Sequence, residues 1–211
     1  MKVAVVCANG KAGQLITKEA IDRGLDVTAV VRGENKTVAQ KALIKDLFDL
    51  TAEDLAEFDV VVNAFGAWAE EDLHLHSEAQ EHLLSLLSGT DTRLVIVGGA
   101  GSLYVDPEHT VQLVDTPDFP AMFVPLASAQ TKTLAELRDR DDVKWTFVSP
   151  AADFQADGER TGSYTLAGEE LTTNAAGESV ISYADYAIAF VDEIERTDDA
   201  HIQQRISVVS K

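Results

Sequence analysis

The chain has 211 residues, enough to bury a sizeable core in one domain, and 45% hydrophobic and 25% charged residues are ordinary for a soluble globular fold. A formal net charge of −19 repels phosphate backbones and argues against nucleic acid as a partner, and the single cysteine excludes an intramolecular disulfide and fits a reducing compartment. No window approaches a membrane span and no signal peptide precedes the first motif, so the expectation is a soluble cytoplasmic protein with no membrane partner.

The apolar run Val3 to Val6 reads as a buried parallel strand, since it lacks polar alternation. A turn with Gly10 and Gly13 follows, then an amphipathic helix carrying Leu15, Ile16, Ala20 and Ile21. Gly24 stands where a helix C-cap glycine would. A second apolar strand, Leu25 to Val31, ends on Arg32. Strand, glycine turn, helix and strand make one βαβ unit whose first helix points free N–H groups at whatever lies above Gly10. That is an anion site, and a dinucleotide pyrophosphate is its usual occupant. Cys7-x-x-Gly10-x-x-Gly13 follows the G-x-x-G-x-x-G frame with cysteine in place of the first glycine. A close-packing turn that binds nothing would use the same glycines.

The alternation continues along the chain. Ala42 to Asp46 is a short strand, Thr51 to Asp54 caps a brief helix, and Phe58 to Ala64 is a fourth strand running into Phe65 and Gly66. Leu73 to Leu87 has helical spacing and ends at Gly89. Arg93 to Val97 is a fifth strand ending in Gly98-Gly99-Ala100-Gly101-Ser102, Pro125 to Leu137 a helix, and Lys144 to Val148 a sixth strand ending in Ser149-Pro150. This repetition predicts an α/β fold, a Rossmann-like doubly wound parallel sheet with helices on both faces. Residues 1–150 would form the dinucleotide-binding core. Residues 151–211 would form a small C-terminal capping subdomain of the same single domain, with a closing helix and strand. There, Tyr164 to Leu166 and Glu170 to Thr172 suggest a hairpin, Ser182 an N-cap for a helix from Tyr183 to Glu195 with Asp185 at its positive end, and Gln204 to Val209 a closing strand.

The blocks Cys7 to Gly13, Val60 to Gly66, Leu94 to Ser102, Trp145 to Pro150, Gly158 to Gly162 and Ile181 to Ala187 together resemble the atypical short-chain dehydrogenase-like family called NmrA-like or NAD(P)H-binding proteins. The likeness covers nearly the whole chain. It is greatest to the family's small bacterial branch, the NADH–flavin reductases, which are similar to biliverdin reductase B. The resemblance implies NAD(P)H lying across the carboxyl ends of the strands. Carried over by position, Gly10, Lys11, Ala12 and Gly13 would cradle the pyrophosphate, and Arg32 would meet the adenosine ribose. Asp46 and Leu47 would border adenine. Ala64, Phe65 and Gly66 would pass under the nicotinamide ribose, with Gly98 and Gly99 beside the ring and Ser149 and Pro150 near its carboxamide.

Where an NAD-specific site places an acidic residue, this chain has Val31-Arg32, a guanidinium suited to a phosphate, and Lys11 can add a second charge. That favours NADP(H); two solvated surface cations are the plain alternative. No Tyr-x-x-x-Lys pair stands on the right helix. The nearest echo, Ser128-Ala-Gln-Thr-Lys132, puts a poor acid where a phenol is needed and reads as polar helix surface. Hydride transfer to a flavin, quinone or tetrapyrrole needs stacking and orientation more than a protein acid. The expectation is an NAD(P)H-dependent oxidoreductase of a planar small-molecule acceptor, with no catalytic residue assigned. The alternative is a non-catalytic, redox-sensing regulator.

Lesser candidates are each open to a plainer reading. His74 and His76 point apart on a helix while Glu78 and His82 share a face, which is too few ligands for zinc; His74 or His76 could stand at a pocket rim, and a solvated helix start is the plainer reading. Cys7 reads as a packed thiol. Ser102 could meet a substrate or only make a turn. Trp68 and Phe65 could wall an acceptor pocket or belong to the core. Arg160 could meet an anion or pair with Glu159 or another neighbour.

Overall fold

The computed structural model describes residues 1–211. The elements in chain order are β1 (Lys2–Val6), α1 (Lys11–Asp22), β2 (Asp26–Val31), β3 (Lys41–Ile44), α2 (Ala52–Leu55), β4 (Val60–Asn63), α3 (Leu75–Leu87) and β5 (Arg93–Val97). There follow α4 (Val124–Arg138), β6 (Lys144–Ser149), β7 (Asp153–Gln155), β8 (Tyr164–Ala167), β9 (Val180–Ser182), α5 (Tyr183–Glu195) and β10 (Gln204–Ser210). Eight strands form one sheet in the order β3-β2-β1-β4-β5-β6-β10-β8, parallel except for β8, which pairs antiparallel with β10 at the edge. This is the Rossmann-like α/β fold expected from the strand–helix alternation.

The apolar runs become strands because both faces of the sheet are covered. Val3 and Val5 face one core layer, with Ile16 and Ala20 of α1 and Tyr186, Phe190 and Ile194 of α5. Ala4 and Val6 face the other, with Leu83 and Leu87 of α3 and Leu134 and Leu137 of α4. These four β1 side chains, Val3 to Val6, are fully buried, while Lys2 at the start of the strand is exposed. Gly24 ends α1 at φ +82°, a conformation that costs a side-chain-bearing residue about 1 kcal/mol or more. The Thr51–Asp54 capping box and the Ser182 cap form as the spacing predicts; Ser182 Oγ accepts from the Asp185 N–H at 3.0 Å.

Three expectations needed correction. The third strand stops at Ile44 because the Asp46 carboxylate turns outward to cap a short 3-10 helix, accepting from the Phe48 N–H at 3.0 Å. The fourth stops at Asn63, whose Oδ1 accepts from the Phe65 N–H at 3.0 Å and bends the chain out of the sheet. The hairpin between Tyr164–Leu166 and Glu170–Thr172 does not form. β8 instead pairs with β10, and Glu170 bridges to Tyr104. Buried Arg205 of β10 holds the intervening chain by its ion pair with Glu169, which also takes Arg138 at 2.6 Å.

Residues 151–211 therefore supply α5 and β10 to the main layers and a small parallel pair, β7 with β9, beyond the end of β6. At the amino-terminal end of the strands Glu193 is buried, yet it meets Arg93 at 2.6 Å, Arg196 at 3.2 Å and His201 at 2.6 Å. That compensation ties the foot of α5 to β5. No helix is long and apolar enough to cross a membrane.

Candidate functional site

Strand order reverses between β1 and β4, and the crevice outside the carboxyl ends of such strands is where open α/β sheets bind ligands. Gly10 sits at that point. A Cβ built on it would lie 4.0 Å from the Ala64 carbonyl oxygen, so the glycine turn and the end of β4 are neighbours although 54 residues separate them. Cys7 makes the turn with φ +61°, a left-handed conformation unusual for a residue with a side chain. Burial pushes its thiol up to about 11, so it is protonated at neutral pH.

α1 begins at Lys11 without a side-chain cap and without an acidic residue in its first turn. The N–H groups of Lys11, Ala12 and Gly13 make no hydrogen bond within the protein. Uncapped amides at the positive end of a twelve-residue helix suit an oxyanion. Gly13 is fixed by packing. A Cβ there would lie 2.9 Å from the Cys7 carbonyl oxygen and 3.0 Å from Ala8 Cα, both immovable backbone. Asn9, unassigned in the sequence reading, braces the turn: its amide donates to the Glu34 carbonyl at 2.9 Å and accepts from the Lys36 N–H at 2.8 Å. The Asn-Gly pair was the only sequence signal for it.

That brace brings the loop after β2 beside the glycine turn. Arg32 lies there with its side chain 84% exposed, its nearest carboxylate being Asp46 at 4.0 Å. Lys11 is exposed and forms no salt bridge within 4 Å. Leu47 has its side chain in the core, so only the backbone there can face a ligand.

On the other side of the switch point the chain runs through Ala64, Phe65 and Gly66. The Phe65 ring stands edge-on to His76, with centroids 5.3 Å apart. His76 is buried, and its Nε2 lies 3.3 Å from the Ala67 nitrogen and 3.1 Å from the Ala67 oxygen. Burial pushes its pKa down, against a smaller opposing effect of the Ala67 hydrogen bond, which keeps the ring neutral. His76 thereby pins the 64–68 loop to α3, a role no sequence pattern signalled. Behind the loop a cavity of about 10 Å³, room for one water, is lined by Asn63, His76, Gln80, Gln130 and Phe147 among others. A Cβ at Gly98 would fall 2.2 Å from the Phe147 ring, and one at Gly99 would meet the Gln130 amide. Ser149 is fully buried and its Oγ has no hydrogen-bond partner in the protein. Pro150 follows it.

The indole of Trp68 is 71% exposed, so it does not belong to the core. Met122 at 78% and Phe123 at 42% are exposed on the loop that leaves β5, the strand next to β4. Other candidates are drawn elsewhere. Ser102 is buried and takes the Arg205 guanidinium at 3.4 Å; Lys132 is exposed and pairs with Glu136. His74 lies 3.7 Å from Glu78, while His82 turns to the Leu50 carbonyl, so Glu78 and His82 do not act together. Arg160 pairs with Glu19 at 3.0 Å, a partner far in sequence instead of Glu159.

Residues 7–196 match the model of a family described as NAD(P)H-binding. The chain is 50% identical to YwnB of Bacillus subtilis (strain 168) over 214 residues, covering 100% of this chain and 99% of that one. Among solved structures it is similar to SP1627 of Streptococcus pneumoniae TIGR4, named "a putative NADH-flavin reductase", with TM-score 0.97 and 55% identity over the whole of both chains. A Lactobacillus casei protein superposes with TM-score 0.88 at 32% identity, over 100% of this chain and 99% of that one.

Proposed function

The chain belongs to the NAD(P)H-binding family, and from that premise we propose that it is an NAD(P)H-dependent oxidoreductase that reduces a flavin, quinone or similar planar acceptor and prefers NADPH. All 211 residues act as one domain in this reading. The observation that carries it is one juxtaposition: the free amides of Lys11, Ala12 and Gly13 lie across the switch point from the loop that bears the exposed Trp68.

The amides and the α1 dipole hold the pyrophosphate, with Gly13 letting the helix close onto β1. Arg32 and Lys11 meet the adenosine phosphate, a charge-assisted contact that a carboxylate in Arg32's place would oppose. Ala64 to Gly66 present backbone to the nicotinamide ribose, with Gly98 and Gly99 beside the ring and Ser149 and Pro150 near the carboxamide. Bound NADPH supplies a hydride. Trp68 on the loop after β4 and Met122 and Phe123 on the loop after β5 are exposed apolar side chains against which an acceptor ring stacks. No side chain is assigned as proton donor, which suits acceptors that solvent protonates.

The test is consumption of NADPH by the purified protein with FMN, riboflavin and a small quinone panel. Acceptor-dependent loss that disappears in Gly13→Trp supports the reductase. Binding of NADPH without turnover on any acceptor refutes it and favours the redox-sensing alternative.

A further inference from the structure

Resting on the reductase reading, we propose that the acceptor side of this site selects by charge: it takes uncharged or cationic planar acceptors and turns away phosphorylated ones, so that its flavin is riboflavin in preference to FMN. The loops leaving the carboxyl ends of β4, β5 and β6 span 64–74, 98–123 and 150–163. They carry three, four and three carboxylates and a single Lys or Arg between them. That cation, Arg160, is neutralised by Glu19, whose side chain is 11% exposed. Glu70, Glu71 and Asp72 begin two residues after Trp68 and are all exposed, and Asp115 and Asp118 precede Met122 and are exposed as well. None of these five carboxylates has a cation within salt-bridge distance.

The cofactor side is opposite in sign. Lys11, Arg32 and Lys36 flank the glycine turn, the loop of the last two being held to it through Asn9, and against these three cations stand two carboxylates, Glu34 on the same loop and Asp46 at 4.0 Å from Arg32. The loops beside the glycine turn thus carry an excess of cations for an anionic cofactor, while the loops leaving β4 and β5 carry exposed apolar side chains together with unpaired carboxylates. A bound dinucleotide adds its own negative charge to those carboxylates. A phosphate dianion carried on an acceptor at this end of the sheet meets the field of these carboxylates with no free cation on the same loops to receive it, a repulsion screened beyond ~10 Å at 0.1 M salt. An isoalloxazine or naphthoquinone ring without the phosphate meets only the apolar side chains. A tetrapyrrole dicarboxylate is disfavoured for the same reason as FMN.

Riboflavin and FMN share one ring system and differ by the phosphate, so the pair isolates charge. Binding of each to the protein saturated with NADP+ is followed by quenching of flavin fluorescence, and NADPH-driven turnover is measured beside it. At an ionic strength of about 20 mM, riboflavin is expected to bind and turn over about tenfold better, and the gap narrows to about twofold at ~0.5 M salt as screening sets in. The triple variant Glu70→Gln, Glu71→Gln, Asp72→Asn narrows the gap at low salt while the dissociation constant for NADPH is unchanged. FMN performing as well as riboflavin at low salt, or a gap that ignores both salt and the triple variant, overturns the charge inference and leaves the reductase standing. Flavins that bind in the expected ratio, with no turnover of them or of the quinone panel, overturn the reductase and uphold the charge selection. Failure of both flavins to bind overturns the charge inference, and the reductase falls with it only if no quinone is reduced.

Discussion

Replacing Gly13 by alanine tests whether the glycine turn works by close approach of α1 to β1. The added Cβ would lie 2.9 Å from the Cys7 oxygen and 3.0 Å from Ala8 Cα and the Ala8 oxygen, whereas ordinary contact starts near 3.4 Å. All three atoms are backbone, so the start of α1 must retreat by about 0.5 Å. Ile16 and Ala20 behind it are fully buried, so the retreat strains the packed layer between α1 and α5. Overpacking of this kind costs about 1–3 kcal/mol. Alanine returns about 1 kcal/mol through its helix propensity. The net loss is about 1 kcal/mol, which lowers Tm by about 3 °C in a chain of this size. The three amides move with the helix, and hydrogen bonds to charged groups at about 1.5–3 kcal/mol each weaken together. NADPH affinity is therefore expected to fall at least tenfold, ~1.4 kcal/mol. Thermal melts and titration of NADPH fluorescence measure both effects. Gly168→Ala, where a Cβ would meet nothing within 4 Å, is the control and leaves both unchanged. If Gly13→Ala melts at or above the parent temperature and binds NADPH normally, the close-approach reasoning is refuted.

Arg32→Ser should raise the dissociation constant of NADPH about tenfold and that of NADH by less than about twofold, because a guanidinium–phosphate contact is lost; equal changes in both would remove Arg32 from phosphate recognition. His76 has a folded-state pKa below its unfolded value of about 6.5, so the unfolded chain takes up the proton first as pH falls. Its contribution to stability is whole above pH ~6.5 and is lost as pH drops toward the folded pKa. The parent protein should therefore lose more Tm between pH 7.5 and 5 than His76→Gln does, and parallel slopes would deny His76 this part. Asp185 is buried and accepts from the Thr161 N–H at 3.0 Å, the Thr161 hydroxyl at 2.7 Å and the Gly162 N–H at 2.9 Å. Asp185→Ala should cost about 1–3 kcal/mol and speed trypsin cleavage after Arg160, read by mass spectrometry; unchanged cleavage would show that the loop is held by other contacts.

The parallel sheet was legible because a strand covered on both faces must be apolar throughout, and Val3 to Val6 or Leu94 to Ile96 satisfy that without help from distant residues. Caps were legible for the same local reason, as Thr51, Ser182 and Gly24 show. The region after Ser149 was not, since β7 and β9 are three residues each and pair across 24 intervening residues, leaving no periodicity to detect. β8 was assigned the wrong partner because sequence proximity favoured Glu170 to Thr172, whereas the open edge of β10 and the Arg205–Glu169 ion pair decide the matter at long range. In the site, the glycines and Arg32 announced themselves by spacing. Asn9 did not, and His76 was legible only as a candidate for a pocket rim, because their work is hydrogen bonding to backbone that only the folded loops bring near.

Cys7 is the chain's one thiol, and its position has a practical use. With its pKa pushed up to about 11, only about one molecule in ten thousand carries the reactive thiolate at pH 7. Maleimide and iodoacetamide therefore meet a nearly silent background, and no native residue needs to be removed first. A cysteine introduced on the exposed acceptor loops, at Glu71 or Asp118, can be labelled selectively with an environment-sensitive dye. Such a probe would report the arrival of an acceptor directly, in a protein whose own chemistry stays dark to the reagent.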